Sequence, residues 1–437
     1  MTERSSEHAD LQGAIPRMIL CGASVRAAAE SAAAAGVKFW CTDLFHDVDL
    51  CDVVRLHGGT LLPQPATLAD LLPILQHLDS SIPLLCCGGM ENEPELLEQL
   101  EQGRPLLGPS AAAVRRLRDP FWLQEMLNGT AVQLAKTVAQ CPVIPDGWLL
   151  KPLNSAGGIG IRSLDQSRVL HSARLRNPAC FQQRIAGLPF SVMVRPGNHG
   201  QQLSGAALQL SGWSELCAQD YEWCGVVGPF ALPQWLHRQL LQTAILLAEQ
   251  SGAVGVWGMD LMLTEQGPVL LEVNPRVPAS FWLHELQTPG QLIRDVLSGN
   301  HTVAGRQTAS ALCSPIPRLP ATVPSAQLVL RSRSDLPATG ACPDAAVLTE
   351  AVRIADRPQP GQTMVAGSPI CSLLFPAVDA AGEHWQILTT DSVARNCKHS
   401  QSSHSWDFEQ VEMRLNRTVL EFLQLLTVAA GNEVDPA

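Results

Sequence analysis

The sequence predicts an α/β protein of more than one domain, and three stretches carry that prediction. Met18–Cys21, Val25–Ala35 and Val37–Cys41 read as strand, helix and strand, a βαβ unit. Gly147–Leu164, GWLLKPLNSAGGIGIRSL, reads as a strand, a glycine-rich loop and a second extended segment. Val254–Leu263 and Val269–Asn274 read as two strands joined by a short turn. At 437 residues the chain exceeds one ordinary core, so two or three domains are expected. Its apolar content of 46% is enough to fill them.

In the first unit the Ala-rich helix stops at Gly36, and the second strand leads to Asp43. Gly22 belongs to no full GxGxxG, which weighs against a dinucleotide there. Leu84–Met90 adds a strand and turn, and Leu96, Leu97 and Leu100 begin a return helix. Further on, Trp148–Leu150 is a strand that delivers Lys151 to Asn154, Ser155, Gly157, Gly158 and Gly160. Glycine backbone can approach a polyphosphate closely and aim amides at it. Lys151 would supply the compensating point charge. The lysine precedes the glycines and no Lys-Ser or Lys-Thr helix follows, so this is not a P-loop. A mobile turn is the plainer alternative. Against it, the chain has only four lysines (Lys38, Lys136, Lys151, Lys398), which sets Lys151 apart from surface decoration.

Ser191–Leu210 gives two strands around the turn Arg195–Gly200, with His199 as an exposed turn residue. Tyr221–Phe230, YEWCGVVGPF, either borders a substrate pocket or packs as core beneath a loop. Leu232–Gly252 is an amphipathic helix stopped by Gly252. Next comes GMDLMLTEQGPVLLEVNPR, Gly258–Arg276. Glu265-Gln266-Gly267 suits a three-residue hairpin loop with glycine third. Thr264 then faces Pro268, and Asp260 faces Glu272 at a Cβ separation of about 4.5–5.5 Å. Asn274 shares the face of Glu272. Facing carboxylates repel, and a shared proton or a cation relieves them. Three oxygen donors of this kind suit Mg²⁺. A solvated hairpin one residue out of register is the alternative.

Beyond about residue 300 the composition turns to Pro, Ser and Ala, and Val352–Phe375 looks like a small β-barrel or sandwich. No lysine lies between Lys151 and Lys398, so covalent biotin or lipoate attachment is rejected. His399 and His404 lack a partner at metal-site spacing. Val411–Val428 reads as a closing helix with Leu415, Val419, Phe422 and Leu426 on one face. A net charge of −11 argues against a nucleic-acid surface. The thirteen cysteines are scattered without a CxxC, which reads as free thiols in a reducing cytosol. Neither a signal-peptide stretch nor a membrane span is evident, so a soluble cytoplasmic protein is expected.

The lysine strand, the glycine loop and the LLEVNPR strand, in that order, resemble the ATP-grasp superfamily. Gly108–Phe121, GPSAAAVRRLRDPF, looks like the opening of that family's ATP-binding region, and Phe181–Gly187, FQQRIAG, like its adenine hinge. The resemblance covers roughly residues 107–300. It is nearest to ATP-dependent carboligases related to biotin carboxylase, including those associated with one-carbon cofactor biosynthesis. It implies a Rossmann-like domain at 1–106, a two-lobed ATP-grasp core at 107–300 and a β-rich C-terminal domain with a closing helix at 301–437. Lys151 would contact ATP phosphates, and Gly157, Gly158 and Gly160 would close over them. Gln182, Gln183 and Ile185 would line the adenine hinge. Asp260, Glu272 and Asn274 would bind Mg²⁺, and Arg276 would neutralise the transferred phosphoryl group. Two departures weigh against tight ATP binding. Asp119 is followed by Pro120 where many members have lysine, so one phosphate contact is missing or supplied by an arginine; the hinge carries Gln182 and Gln183 where many have an acid, and an amide can still bond adenine or ribose, so nucleotide binding is expected to survive.

The activity so implied is ATP-dependent carboxylate–amine ligation through an acyl phosphate, in methanopterin- or methanofuran-type cofactor synthesis. Small carboxylates and amines are the partners, and the family admits homodimers. Biotin-carboxylase-like bicarbonate activation and a non-catalytic nucleotide-binding scaffold are the alternatives.

Overall fold

The computed structural model describes residues 16–164, 178–197, 200–286, 288–298, 325–332, 335, 353–375, 410, 413, 414, 417 and 418. His199, Lys398, His399, His404 and the four apolar residues expected on the closing helix lie outside the described residues.

The first unit runs β1 (Arg17–Gly22), α1 (Arg26–Ala34), β2 (Lys38–Asp43), α2 (Val48–His57), β3 (Thr60–Leu61), α3 (Leu71–Leu75), β4 (Leu84–Cys86) and α4 (Pro94–Gly103). The strands form a parallel sheet in the order β3-β2-β1-β4. Met18, Ile19, Leu20 and Cys21 are all fully buried. A continuous apolar run is what a strand covered on both faces requires. Asp43 accepts backbone N–H bonds from Val25 and His46, at 2.9 and 2.7 Å, so its carboxylate organises the loops at the sheet edge. Asp47 caps α2 by accepting from the Leu50 N–H.

Two helices lead into the core. Ser110 caps α5 (Ala111–Arg118), and Asp119 caps α6 (Pro120–Met126). Pro120 occupies the first turn of α6, where its missing N–H costs nothing. Past α6 the chain enters two sheets. The large one holds β5 (Gln133–Leu134), β10 (Leu188–Gly197), β11 (Gly200–Ser211), β12 (Trp223–Phe230), β13 (Trp257–Thr264), β14 (Gly267–Asn274), β15 (Ser325–Arg331), β16 (Arg353–Ala355) and β17 (Pro369–Phe375). The small one is β6 (Thr137–Val138), β9 (Ala179–Gln183), β7 (Trp148–Pro152) and β8 (Arg162–Ser163), in that spatial order. Leu236, Leu240, Ala244 and Leu247, on one face of the helix Gln234–Ser251, bury themselves against the large sheet with Phe190, Leu208, Trp257 and Leu261. Each such leucine contributes about 2 kcal/mol of burial. Gly252 ends the helix with φ 79°, a left-handed cap.

Residues 223–230 take the core alternative: they form a full strand in the middle of the large sheet, buried from Cys224 to Phe230. One reading changes. The described strands beyond residue 300 extend the large sheet through the β12–β15 pairing and do not close a barrel of their own. Among the described residues, no helix is long and apolar enough to cross a membrane.

Candidate active site

The hairpin β13–β14 sets the site. Asp260 pairs with Glu272 and Gly258 with Asn274. The route to that register differs from the expectation. Thr264 pairs with Gly267, so the loop has two residues, Glu265 and Gln266. Left alone, that would shift Asp260 opposite Leu271. A β-bulge between Asp260 and Leu261, at the level of Leu271, restores the pairing with Glu272. The bulge also turns the Leu271 carbonyl out of the ladder. It accepts from Gln182 Nε2 at 3.0 Å and lies 3.5 Å from Lys151 Nζ.

The small sheet faces this hairpin across a cleft lined by Arg118, Lys151, Cys180, Gln182, Leu271 and Glu272, with room for about 30 Å³. β7 delivers Lys151, as its apolar pattern predicts, and its Nζ is 2.6 Å from Glu272 Oε2. Arg118, at the end of α5, lies 3.9 Å from the same oxygen. Asp260 accepts from Asn274 Nδ2 at 2.7 Å and from Gln209 Nε2 at 2.8 Å. Arg276 donates to Glu91 of the first unit at 3.0 Å and reaches Asn274 Oδ1 at 3.5 Å. Lys151, Glu272, Asp260, Asn274 and Arg276 therefore form one connected polar cluster.

Its charges are unequal. Burial, then the facing charge of Glu272, pushes the Asp260 carboxyl up to about 7. Burial acts to raise Glu272 too, but Lys151 and then Arg118 outweigh it and hold that carboxyl down to about 2. An opposed pair that resists holding two negative charges is a place that favours an additional cation. The donors fit Mg²⁺ in kind: two carboxylates and an amide oxygen, all hard ligands. Among the described residues no three His, Cys, Asp or Glu side chains gather into a metal cluster. Mg²⁺ commonly uses one or two carboxylates and keeps its waters, so two suffice.

The segment leading into the glycine loop borders the cleft at Pro152 and Leu153. Gly157, Gly158 and Gly160 all have left-handed φ, 62°, 75° and 81°. A Cβ on Gly158 would lie 1.9 Å from the Tyr221 carbonyl oxygen, so glycine is required for that approach. The Trp223 N–H donates to the Gly157 carbonyl at 2.9 Å, and Ser163 Oγ lies 2.5 Å from the Tyr221 hydroxyl. The glycine loop thus rests on the segment entering β12.

The hinge residues divide. Gln182 is buried, its amide bonded to the Leu271 carbonyl and to Thr137 Oγ1, so it braces the cleft floor. Gln183 is exposed at the end of β9, and its N–H donates to the Lys136 carbonyl. Ile185 follows, half-buried, in the connection to β10. Three contributors escaped the sequence reading: Arg118, Gln209 and Glu91. Gln209 is legible only once β11 is known to flank β10, two strands from Asp260. Glu91 lies 185 residues from the arginine it holds.

Comparison with known proteins bears on the fold. Residues 120–280 match the model of the ATP-grasp domain. No curated protein matches the sequence. Among solved structures the fold is similar to the biotin carboxylase domain of Hydrogenobacter thermophilus 2-oxoglutarate carboxylase, solved with MgADP, ADP and bicarbonate. There the TM-score is 0.58 at 12% identity, over 82% of this chain and 86% of that one. It is also similar to N5-carboxyaminoimidazole ribonucleotide synthetase of Thermus thermophilus, with TM-score 0.56 and 16% identity over 82% and 93% of the two chains. A Campylobacter jejuni biotin carboxylase gives 0.54 and 12% over 82% and 87%.

Proposed function

We propose that this chain, whose residues 120–280 form an ATP-grasp domain, is an ATP-dependent ligase that joins a carboxylate to an amine through an acyl phosphate. The observation that carries the reading is the Asp260–Glu272 pair, set opposite each other and held beside Lys151. Lys151 and the backbone of Gly157, Gly158 and Gly160 orient the polyphosphate. Asp260, Glu272 and Asn274 would hold Mg²⁺, which would offset charge on the phosphates. Gln183 and Ile185 border the adenine. A substrate carboxylate oxygen attacks the terminal phosphorus, and the bond from that phosphorus to the ADP oxygen breaks. The amine nitrogen then attacks the acyl carbon, loses a proton, and phosphate leaves. Arg276, fixed by Glu91, faces the charge that develops on the phosphoryl group. Catalysis here is mostly positioning and charge neutralisation.

The MgADP and bicarbonate in the Hydrogenobacter structure support a bicarbonate variant of the same first step. A screen for ADP release separates the two. Dependence on an organic carboxylate plus an amine supports the ligase, and dependence on bicarbonate replaces it with a carboxylase. No ADP release with any pair, despite ATP binding, leaves a nucleotide-binding scaffold. A place in methanopterin- or methanofuran-type synthesis is carried by the sequence resemblance alone, and the same screen tests it.

A further inference from the structure

We infer that Cys21 and Cys86 form a dithiol that hydrogen peroxide converts reversibly to a disulfide, and that this modification reaches Arg276 through Glu91. The modification stands apart from the ligase reading above; its effect on turnover rests on that reading. The two cysteines are register partners on the neighbouring parallel strands β1 and β4. Both are free thiols, and both pack on the sheet face that carries Ile19, Leu84 and Met90. Neighbouring strands run about 4.8 Å apart, within the Cα separation of about 4.4–6.8 Å that a disulfide spans. The chain stays close just past the pair. The Cys87 N–H donates to the Cys21 carbonyl at 2.8 Å, and the Ala23 N–H donates to the Gly88 carbonyl at 2.6 Å. A Cβ on Gly22 would lie 2.9 Å from that same Gly88 oxygen.

The two sulfurs have unequal surroundings. Cys21 is fully buried, and a hydrogen bond with the Cys86 side chain, then burial, lifts its thiol well above the ordinary value. Cys86 is half-buried and lines a cavity with room for about 10 Å³, close to one water, beside Met90, Glu91 and Pro275. The thiolate is the reactive form. Cys86 is therefore the thiol that meets the oxidant, and Cys21 is the one that resolves it. The Cys86 sulfur attacks one peroxide oxygen, the O–O bond breaks, and hydroxide leaves with the thiol proton as water. The Cys21 sulfur then attacks the sulfur of the resulting sulfenic acid, the S–O bond breaks, and a second water leaves with the Cys21 proton. The two thiols lose two electrons and the peroxide gains them. A dithiol reductant reverses the bond by exchange. The new bond pulls on the exit of β4. That exit leads through Gly88 and Gly89 to Glu91, whose side chain is fully buried and lies 3.0 Å from Arg276 Nε.

The test treats the reduced wild-type chain with hydrogen peroxide, caps the remaining thiols with iodoacetamide and reads the unreduced digest by mass spectrometry. Cys86→Ser, Cys21→Ser and Cys87→Ser are treated alongside, each checked for folding by thermal melting. The expected result is a linked Cys21–Cys86 peptide in wild type and in Cys87→Ser, absent from the other two and removed by dithiothreitol. ADP release by the oxidised wild type should fall about 10- to 100-fold, the worth of a misplaced charge, and return on reduction, with MgATP affinity kept. Cys86→Ser should keep its turnover through the same treatment. No linked peptide, whether Cys86 stays reduced or ends as sulfinic acid, overturns the inference, and so does pairing of Cys86 with Cys87. A linked peptide with unchanged ADP release overturns the route to Arg276. A linked peptide in a chain that releases no ADP even when reduced supports the disulfide and overturns the ligase reading.

Discussion

Replacing Glu272 with glutamine removes one charge and almost no volume. In the native cleft Glu272 Oε2 lies 2.6 Å from Lys151 Nζ and 3.9 Å from the Arg118 guanidinium. At an effective dielectric of about 20, the Lys151 contact corresponds to about 6 kcal/mol of gross attraction. Desolvation cancels most of that. The side chains are 15% and 27% exposed, between the surface case and the deeply buried one. Removing one partner should therefore cost about 1–3 kcal/mol. Part returns, because Glu272 is, after burial, what holds the Asp260 carboxyl up to about 7, and its neutral replacement relieves that repulsion. The variant should stay folded and lose about 1–2 kcal/mol in urea unfolding. Activity should fall far more, since a metal ligand and the anchor of Lys151 are lost together. ADP release should drop more than about 100-fold. Wild-type turnover with unchanged Mg²⁺ dependence would refute the site. A stability loss above about 4 kcal/mol would refute the electrostatic reasoning.

Three further outcomes follow from other contacts. Gly158→Ala places a Cβ 1.9 Å from the Tyr221 carbonyl at φ 75°, so the loop must lift; nicking of the loop should speed up and turnover should fall, and unchanged protection would contradict the docked loop. Tyr221→Phe removes the hydroxyl that lies 2.5 Å from Ser163 Oγ; urea unfolding should show a loss of about 1 kcal/mol, and no change would mean that the contact contributes nothing. His284 is buried with Nε2 unpartnered, and burial followed by the nearby Arg195 lowers its pKa from 6.5 to about 3. Between those values the unfolded chain binds the proton that the folded one refuses, so stability is full above 6.5 and declines as pH falls. The decline should reach about 1–2 kcal/mol by about pH 5, and His284→Leu should flatten it in pH-dependent unfolding; an unaltered slope would clear His284 of the effect.

The parts of the site that were legible are those set by local rules. Alternation put Asp260 and Asn274 with Glu272, and an apolar strand pointed to Lys151. Yet the Asp260–Glu272 pairing was reached through two compensating errors: a loop taken one residue too long and a bulge not foreseen. Nothing in Leu270-Leu271-Glu272 marks a bulge, and the Leu271 carbonyl at its level is met by Gln182, 89 residues away in sequence. Gln182 was assigned to the hinge by resemblance, and its side-chain contacts to the Leu271 carbonyl and Thr137 Oγ1 are tertiary and could not be read from the sequence. Arg118 and Glu91 were invisible for a plainer reason. Their partners lie from 26 to 185 residues away, and only the packing of α5 and of the first unit against the hairpin brings them in. Core packing was among the alternatives for residues 223–230, but the strand itself was not foreseen, since two glycines and a proline look like a loop. In the sheet, Gly225 is packed so closely against the Gln327 carbonyl that a Cβ would lie 2.5 Å from it.

The most direct test is calorimetry of ATP binding to the wild-type chain, with Mg²⁺ and with the metal chelated. Binding should be saturable, strong with Mg²⁺ and much weaker without it, because Asp260 and Glu272 would act on the nucleotide through the metal. Binding of equal strength in both conditions would remove the metal from the site. No binding in either would contradict the central claim that this cleft holds ATP.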